Sequence, residues 1–213
     1  MAELPVGEEL SDHVGVGAAW EPTERLWQEL AAHEAEHGLC MGQVTTAVRS
    51  RSCPPSVNDL FLFPALDPTL EASAAAFAMK PHSRGSVRLH GREPEAPLAI
   101  DHGFLRDERD VEVLSEGFER LRGLAASEAV KPYAGRELRP GQEVDAESHV
   151  RETARGFFHP VATCAIGRVV GERCRVEGFE NLYVVDASVI PTIPRANTHL
   201  TTVALAERAA EWL

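Results

Sequence analysis

One amphipathic helix set among short apolar segments restricts this chain to a mixed fold. Apolar side chains recur every three or four positions along one stretch: Val111, Leu114, Phe118, Leu121 and Leu124. This spacing predicts a helix with one buried face, and Asp107 is suited to be its N-cap. The apolar segments elsewhere are shorter and are bounded by proline or glycine, which favours strands. Strands mixed with a few helices indicate an α+β fold or a fragment of an α/β protein, and α+β is the class we predict.

The remaining elements follow from similar local signals. Further helices are predicted at 22–36 with a stop near Gly38, at 145–153 with Asp145 as cap, and at 200–212. Strands are predicted to begin at 14–19 and to occupy 41–48, 59–65, the end of 80–89, and 182–186. Segment 73–79 is ambiguous, because its alanines favour a helix whereas its short length favours a strand. The strand is preferred there.

Composition excludes several classes of protein. The chain has 213 residues, of which 44% are hydrophobic and 25% charged, and its net charge is −12. This is ordinary for a globular protein of one domain or two small ones. The negative charge disfavours nucleic-acid binding, and no stretch approaches the roughly 20 apolar residues of a membrane helix. Since the N-terminus also lacks the features of a signal peptide, a cytoplasmic protein is expected.

The cysteines and histidines do not form a metal-binding pattern. The four cysteines, Cys40, Cys53, Cys164 and Cys174, contain no Cys-x-x-Cys pair, so we expect reduced thiols and no zinc site. An alternative is a metal-binding protein that uses histidines. Its candidate ligands are His13, His82, His90 and His102. The spacing of these histidines fits no known metal site, which disfavours this alternative.

Three segments near the C-terminus carry side chains suited to chemistry. His159 lies between Phe158 and Pro160, a setting that by itself is more typical of a structural histidine than of a catalytic one. The apolar segment 182–186 ends in an acid, which at the end of a strand is either a ligand position or part of a turn. Asn-Thr-His at 197–199 precedes a helix whose first N–H groups favour an anion, or it only caps that helix.

Together these segments resemble the C-terminal region of the glucose–methanol–choline (GMC) oxidoreductases. Four short runs follow one another in the family's order. They are His-Pro-Val-Ala-Thr-Cys from His159, then Val-Val-Asp-Ala-Ser, then Asn-Thr-His, and finally Ala-Glu-Arg-Ala-Ala. Lys-Pro-His-Ser-Arg-Gly at 80–85 and Leu-Pro-Val-Gly-Glu-Glu-Leu-Ser-Asp-His at 4–13 resemble two further family elements. Two departures are Ala162, where glycine is usual, and Ala165-Ile166, where Arg-Met is commoner.

The resemblance implies an FAD-dependent enzyme that oxidises alcohols. In the family a histidine takes the hydroxyl proton while hydride passes to N5 of the flavin. By position, His159 is that base and Asn197 is the second residue at the substrate, with His199 as the alternative. Other matched residues lie along the ribityl chain, the pyrophosphate and the pyrimidine ring of the cofactor. The residues expected to contact FAD are Asp186, Ala187, Asn197, Thr198 and His199.

The resemblance also implies a division of the chain. Residues 1–19 correspond to a segment linking from the FAD-binding domain, 20–155 to the substrate-binding domain, and 156–213 to the last part of the FAD-binding domain. The substrate-binding domain is expected to be an antiparallel sheet with helices. Its candidate pocket side chains are Met79, His82 and Phe61, although core packing is favoured for Met79 and Phe61.

The family's N-terminal fingerprint for FAD, Gly-x-Gly-x-x-Gly, does not occur in these residues. We therefore expect the chain to bind FAD weakly by itself and to oxidise CH–OH groups together with an FAD-binding chain that carries the N-terminal half. The 182–186 strand is expected to be buried by sheet neighbours from that half, which leaves an apolar interface exposed. The alternative is a non-catalytic partner subunit or a truncated remnant.

Overall fold

The computed structural model describes residues 3–38, 44–66 and 71–212 of the chain. They form two compact units. The sheet unit consists of residues 15–78 and 108–155, and the terminal unit consists of residues 1–14, 79–107 and 156–213, as far as these are described. Residues 79–107, expected within the 20–155 segment, thus belong to the terminal unit. The assignment of segments to FAD-binding and substrate-binding domains stays a prediction.

In the described part of the chain, four helices and a run of mostly antiparallel strands make up an α+β fold. The strands are β1 (Val14–Pro22), β2 (Thr46–Val48), β3 (Leu60–Leu66), β4 (Ala72–Ala78), β5 (Ser86–Leu89), β6 (Leu98–Asp101), β7 (Ala134–Arg139) and β8 (Arg155–Gly156). The helices are α1 (Glu24–His37), α2 (Glu108–Ala125), α3 (Ala146–Thr153) and α4 (His199–Ala210), with a short 3-10 helix at Ala187–Val189. Among the described residues, none of these helices combines the length and the apolar character of a membrane span.

The sheet unit is built on one sheet with the strand order β2-β3-β4-β1-β7, and β8 pairs with β1. The pairings β2–β3, β3–β4 and β1–β7 are antiparallel. Because successive side chains of a strand point to opposite faces, the alternate alanines of β4 lie on one face. Those alanines, Ala74, Ala76 and Ala78, are buried.

Helix α2 packs closely on this sheet because small residues meet at the contact. A Cβ atom added to Gly117 would lie 2.9 Å from Cδ2 of Leu60 and 3.0 Å from Cβ of Ala76. The predicted apolar face is buried as far as Leu121, whereas Leu124 is exposed. The buried residues of this face are Val111, Leu114, Phe118 and Leu121.

The helix ends agree with the signals in the sequence. The side chain of Thr23 accepts a hydrogen bond from the backbone N–H of Leu26 at the start of α1, and Gly38 follows its end with a φ of 78°. Asp145 caps α3 by accepting a hydrogen bond from the backbone N–H of Ser148. The predicted helices at 22–36, 145–153 and 200–212 are therefore confirmed within two residues, which is the usual variation of helix limits.

Most predicted strands are also confirmed. The segments 14–19, 59–65, 73–79 and the end of 80–89 correspond to β1, β3, β4 and β5. The predicted strand 41–48 is described only in part, because residues 41–43 and the nearby Cys40 lie outside the described residues. Strand β6, which pairs with β5 as an antiparallel hairpin, was missed because prolines on its N-terminal side indicate a loop.

The predicted strand at 182–186 is wrong. Tyr183 makes an isolated antiparallel bridge with Arg175, and two backbone hydrogen bonds connect this segment to residues 174–176. Leu182 is 47% exposed, and the expected burial of the segment by another portion stays a prediction. Its β-branched residues favour extended backbone, but a strand also needs a continuous ladder of hydrogen bonds, which the described residues do not supply here.

A buried ion pair holds α2 to β7 in the sheet unit. The Arg122 guanidinium donates to both carboxylate oxygens of Glu137, at 2.9 and 3.1 Å, and also to the carbonyl oxygens of Gly141 and Val144. Glu137 is only 5% exposed. The guanidinium also lies over the ring of Phe118, 4.6 Å from its centroid. Removing the arginine would leave a buried carboxylate without its countercharge.

We predict that Arg122→Met destabilises the protein by about 3–5 kcal/mol, because breaking a buried pair leaves one charge uncompensated. Arg151→Met is the matched control, since the ion pairs of Arg151 with Glu108 and Glu147 are exposed and such pairs add little stability. Urea unfolding of both variants measures the difference. Equal destabilisation by the two substitutions would contradict this account of the sheet unit.

Candidate active site

The backbone around His159 is paired with residues 11–13. The N–H of Val161 donates to the carbonyl of Ser11 at 2.8 Å, and the N–H of Phe157 donates to the carbonyl of His13 at 2.9 Å. Between these two contacts the chain bulges at Phe158, which has a φ of 60° and is 92% exposed. This left-handed backbone is unfavourable for a bulky residue, so the surrounding contacts must hold it.

Two consecutive residues, Asp12 and His13, hold His159. The Oδ1 atom of Asp12 accepts a hydrogen bond of 2.9 Å from the backbone N–H of His159. The Nδ1 atom of His13 lies 2.9 Å from Nδ1 of His159, with the two rings nearly perpendicular at 81°. The ring of Phe157 packs against the His159 ring at 4.7 Å. Backbone and ring of His159 are therefore both fixed.

The other nitrogen of His13 contacts a loop that precedes α4. Its Nε2 atom lies 2.8 Å from the carbonyl oxygen of Pro194. His13 is completely buried, whereas His159 is only half-buried. In the described part of the chain, no hydrogen bond is formed by Nε2 of His159. The buried ring thus joins His159 to the loop, and the outer ring nitrogen of His159 stays available to a small molecule.

The loop before α4 has two further attachments in the terminal unit. Lys80 donates from Nζ to Oγ1 of Thr192 at 2.7 Å and to the carbonyl of Ile193 at 2.5 Å. Apolar residues that follow His159 and apolar residues that precede Pro194 form one buried cluster. Its members are Val161, Ala162, Ile190 and Ile193. The segment that follows His159 and the loop that contains Pro194 are therefore packed together.

Burial determines the charge of both histidines. Burial, with smaller contributions from His159 and Lys80, lowers the pKa of His13 to about 4, although hydrogen bonding to the backbone of Pro194 and Met79 opposes this. Burial also lowers the pKa of His159, and the negative charge of Asp12 partly offsets it. Burial raises the pKa of Asp12, against the hydrogen bond from the His159 backbone. Both imidazoles are therefore neutral near pH 7.

Ala162 shows why this position usually carries glycine in the family that the sequence resembles. It has a φ of 77° and is buried. Left-handed backbone costs an L-residue roughly 1–2 kcal/mol, which glycine avoids. The departure noted in the sequence therefore keeps the left-handed turn and accepts its strain.

The expected cofactor contacts fall on two separate features. Asp186 caps the short 3-10 helix by accepting a hydrogen bond of 2.8 Å from the N–H of Ser188, and Ala187 is the first residue of that helix. Thr198 is the N-cap residue of α4, and its side chain makes no capping hydrogen bond. Asn197 and His199 on either side of it are exposed.

The structure brings together some of the expected residues and not others. His159 is joined through His13 to Pro194, three residues before Asn197 in the sequence. Within the described residues, no hydrogen bond connects His159 with Asn197 or His199. The expected roles of these residues and of the cofactor contacts stay predictions.

The sequence analysis missed Asp12 and His13 as site residues. They end the 4–13 segment, one of the elements that resemble the family, and that resemblance was the available signal. The contact of His13 with His159 spans 146 positions of sequence, so no local pattern reveals it. Of the candidate pocket side chains, Met79 is buried, which confirms core packing, and His82 is exposed.

The alternative of a histidine metal site finds no support in the geometry. The described residues contain no group of three or more histidine, cysteine, aspartate or glutamate side chains arranged to bind a metal ion. His13 is engaged by His159 and Pro194, and His102 stacks on Phe104 with ring centroids 4.9 Å apart.

The chain is similar to known oxidoreductases. Residues 81–206 match the family model of the GMC oxidoreductases, in its C-terminal part. The oxygen-dependent choline dehydrogenase of Vibrio vulnificus is 37% identical over 142 residues, which are 62% of this chain and 25% of that protein. The mitochondrial choline dehydrogenase of Mus musculus is 36% identical over 143 residues, 62% of this chain and 24% of that protein.

Solved structures extend the likeness to nearly the whole chain. Pyridoxine 4-oxidase from Mesorbium loti superposes with a TM-score of 0.80 at 25% identity, over 98% of this chain and 43% of that one. A formate oxidase of Aspergillus oryzae, whose FAD modification was studied by mutation, gives a TM-score of 0.83 at 18% identity, over 97% of this chain and 46% of that one. The latter likeness shows the fold alone.

These matches define a flavoprotein oxidoreductase fold. The chain belongs to the GMC oxidoreductase family and corresponds to its C-terminal part. It spans about a quarter of the length of the curated relatives it matches. GMC oxidoreductases bind FAD, so the family, the α+β fold and the family's cofactor are as the sequence predicted.

We predict that His13 makes the protein less stable as the pH falls. The pKa of His13 is about 4 when folded against an ordinary 6.5, so between these values the unfolded chain binds more protons and stability is lost on acidification. The lowered pKa of His159 acts in the same direction, and the raised pKa of Asp12 acts oppositely.

A comparison with His13→Asn isolates this contribution. The stability difference between the wild type and this variant should shrink as the pH falls, by up to about 1.4 kcal/mol per pH unit within that range. Urea unfolding between about pH 4.5 and 7 measures the difference. A difference that stays constant with pH would mean that His13 is not held neutral by the fold.

Proposed function

We propose that this chain is the proton-accepting portion of an FAD-dependent alcohol oxidase or dehydrogenase. The observation that carries this proposal is the placement of His159, whose backbone is held by Asp12 and whose ring is held by His13, with Nε2 open among the described residues. Its lowered pKa keeps the ring neutral near pH 7, the form that accepts a proton. The match to the family supports the same assignment.

In the proposed reaction His159 removes the hydroxyl proton of an alcohol. The proton passes to Nε2 of the imidazole, and the oxygen's electrons form the carbonyl as the carbon-bound hydrogen leaves. Bound FAD supplies the acceptor for that hydrogen and its electron pair. The alcohol is thereby oxidised by two electrons to an aldehyde or ketone, and the histidine ends protonated.

The start of α4 fits a flavin that gains negative charge. The side chain of Thr198 makes no capping hydrogen bond, so the first N–H groups of the helix lack that internal acceptor. A helix N-terminus stabilises a nearby anion by roughly 0.3–2 kcal/mol. We propose that Asn197, Thr198 and His199 hold the flavin ring there, and that Asp186 and Ala187 lie along the ribityl and pyrophosphate groups.

Within the site we assign Asn197 to the substrate oxygen, with His199 as the alternative. An amide can donate a hydrogen bond to an alcohol oxygen without taking up its proton. Pro194, three residues earlier, accepts the hydrogen bond from the ring that holds His159. This link supports the assignment, because the loop that carries Asn197 is tied to the base.

We further propose that an FAD-binding portion with the N-terminal half of the family completes the site. The chain corresponds to less than half the length of the solved relatives. Several large apolar side chains of the terminal unit are exposed, which suits a surface that such a portion covers. They include Leu89, Leu98, Ile100, Phe158, Leu182 and Leu200. This proposal includes three further points: the chain alone binds FAD weakly, it works as one part of a heteromer, and it is located in the cytoplasm.

We predict that His159→Ala slows flavin reduction by about 10²–10⁴-fold in the complete enzyme, because general-base catalysis is typically worth that much. FAD binding should change little, since the proton is transferred only as the reaction proceeds. Stopped-flow absorbance measures the rate of flavin reduction. Choline is the first alcohol to test, since the curated relatives are named choline dehydrogenases.

Asn197→Ala and His199→Ala are the matched comparisons. Asn197→Ala should raise the activation free energy of flavin reduction by about 1.5–3 kcal/mol, the value of a hydrogen bond to a charged group. His199→Ala should raise it by less. A large effect of His199→Ala with a mild effect of His159→Ala would reverse the assignment. If neither histidine matters while FAD stays bound, the chain is a non-catalytic partner subunit.

A further inference from the structure

The hydrogen bond to Pro194 determines where His13 carries its proton. A backbone carbonyl oxygen only accepts hydrogen bonds, so Nε2 of His13, 2.8 Å from the oxygen of Pro194, must be the donor. A neutral imidazole has a single N–H group. Its other nitrogen, Nδ1, is therefore unprotonated and acts as an acceptor.

The position of this acceptor determines the proton on His159. Nδ1 of His13 lies 2.9 Å from Nδ1 of His159, and a hydrogen bond between two ring nitrogens needs one donor. Since Nδ1 of His13 accepts, Nδ1 of His159 donates. The neutral His159 ring then holds its proton on Nδ1, and Nε2 carries the lone pair.

Burial is the main factor that keeps His13 in the neutral state that this assignment requires, and nearby charge acts in the same direction. The ring is completely buried, and the groups that act on it by charge are His159 and Lys80, both of which disfavour its protonation. Asp12, the adjacent carboxylate, is engaged by the backbone N–H of His159. A protonated His13 would donate from both nitrogens and reverse the hydrogen bond to His159.

We propose that His13 is a positioning residue that fixes His159 in the tautomer with Nδ1 protonated, which makes Nε2 the proton-accepting atom. A free neutral imidazole in water favours the opposite tautomer, with the proton on Nε2. The buried chain from Pro194 through His13 to His159 reverses that preference. The catalytic consequence rests on the proposed function, but the tautomer itself does not.

The tautomer is measured directly by ¹⁵N NMR of the full chain labelled at histidine. The proposal predicts a protonated Nδ1 and an unprotonated Nε2 for His159, with its signals assigned through His159→Gln. His149 is an internal control, because its Nε2 lies 2.8 Å from the carbonyl of Gly17 and must carry the proton. A wild-type spectrum with His159 protonated on Nε2 would overturn the proposal.

Two variants of His13 distinguish its contact with the His159 ring from its hydrogen bond to the loop at Pro194. In His13→Asn the side-chain oxygen takes the place of Nδ1 and keeps an acceptor for His159, whereas in His13→Gln the amide reaches the place of Nε2 and keeps only the bond to Pro194. The proposal predicts that His159 keeps its tautomer in His13→Asn and moves toward the Nε2–H form in His13→Gln. The reverse pattern would make His13 a support for the loop only. His149 should keep its tautomer in both variants.

The complete enzyme provides the second readout. Flavin reduction should be at least about tenfold slower in His13→Gln than in His13→Asn, since the wrong histidine tautomer costs about 10⁴-fold in a serine protease triad. Equal rates despite a changed tautomer would leave the positioning intact and contradict the proposed function. An unchanged tautomer in His13→Gln would contradict the positioning itself.

Discussion

The contact between the buried ring of His13 and the ring of His159 is the interaction on which the candidate site depends. It joins two segments that are 146 positions apart, and the opposite nitrogen of His13 binds the loop before α4. Burying a polar ring is costly unless its hydrogen-bonding atoms are satisfied, and here both nitrogens have partners. The site therefore obtains a rigid connection from a neutral side chain rather than from an ion pair.

The backbone around this contact is strained on both sides of His159. Phe158 and Ala162, on either side of His159, both have left-handed backbone. Such conformations persist only when surrounding contacts hold them. The hydrogen bonds of residues 157 and 161 to the 11–13 segment, with the bond that Asp12 accepts from the N–H of His159, provide that support. Two consecutive residues of that segment thus hold His159: Asp12 binds its backbone N–H, and His13 contacts its ring.

Local signals in the sequence were sufficient for most elements of the fold. The amphipathic spacing of α2, the stop at Gly38 and the cap Asp145 depend on neighbours within a few residues, so they are predicted directly from the sequence. The segment 182–186 failed because a strand depends on distant hydrogen-bonding partners as well as on β-branched residues. The candidate site likewise has one part that the sequence indicates and one part that depends on a distant contact. The resemblance assigned a role to His159 directly, whereas for His13 it marked only the segment, and the role of His13 follows from a contact that sequence order does not show.

The central claim, that His159 accepts the proton of the alcohol, is tested most directly by comparing two titrations. One is the pH dependence of flavin reduction in the complete enzyme, and the other is the titration of His159 followed by NMR. The account predicts that reduction slows as the pH falls through one ionisation, whose midpoint equals the pKa of His159 and lies below the ordinary 6.5. A rate that does not change while His159 becomes protonated would contradict it.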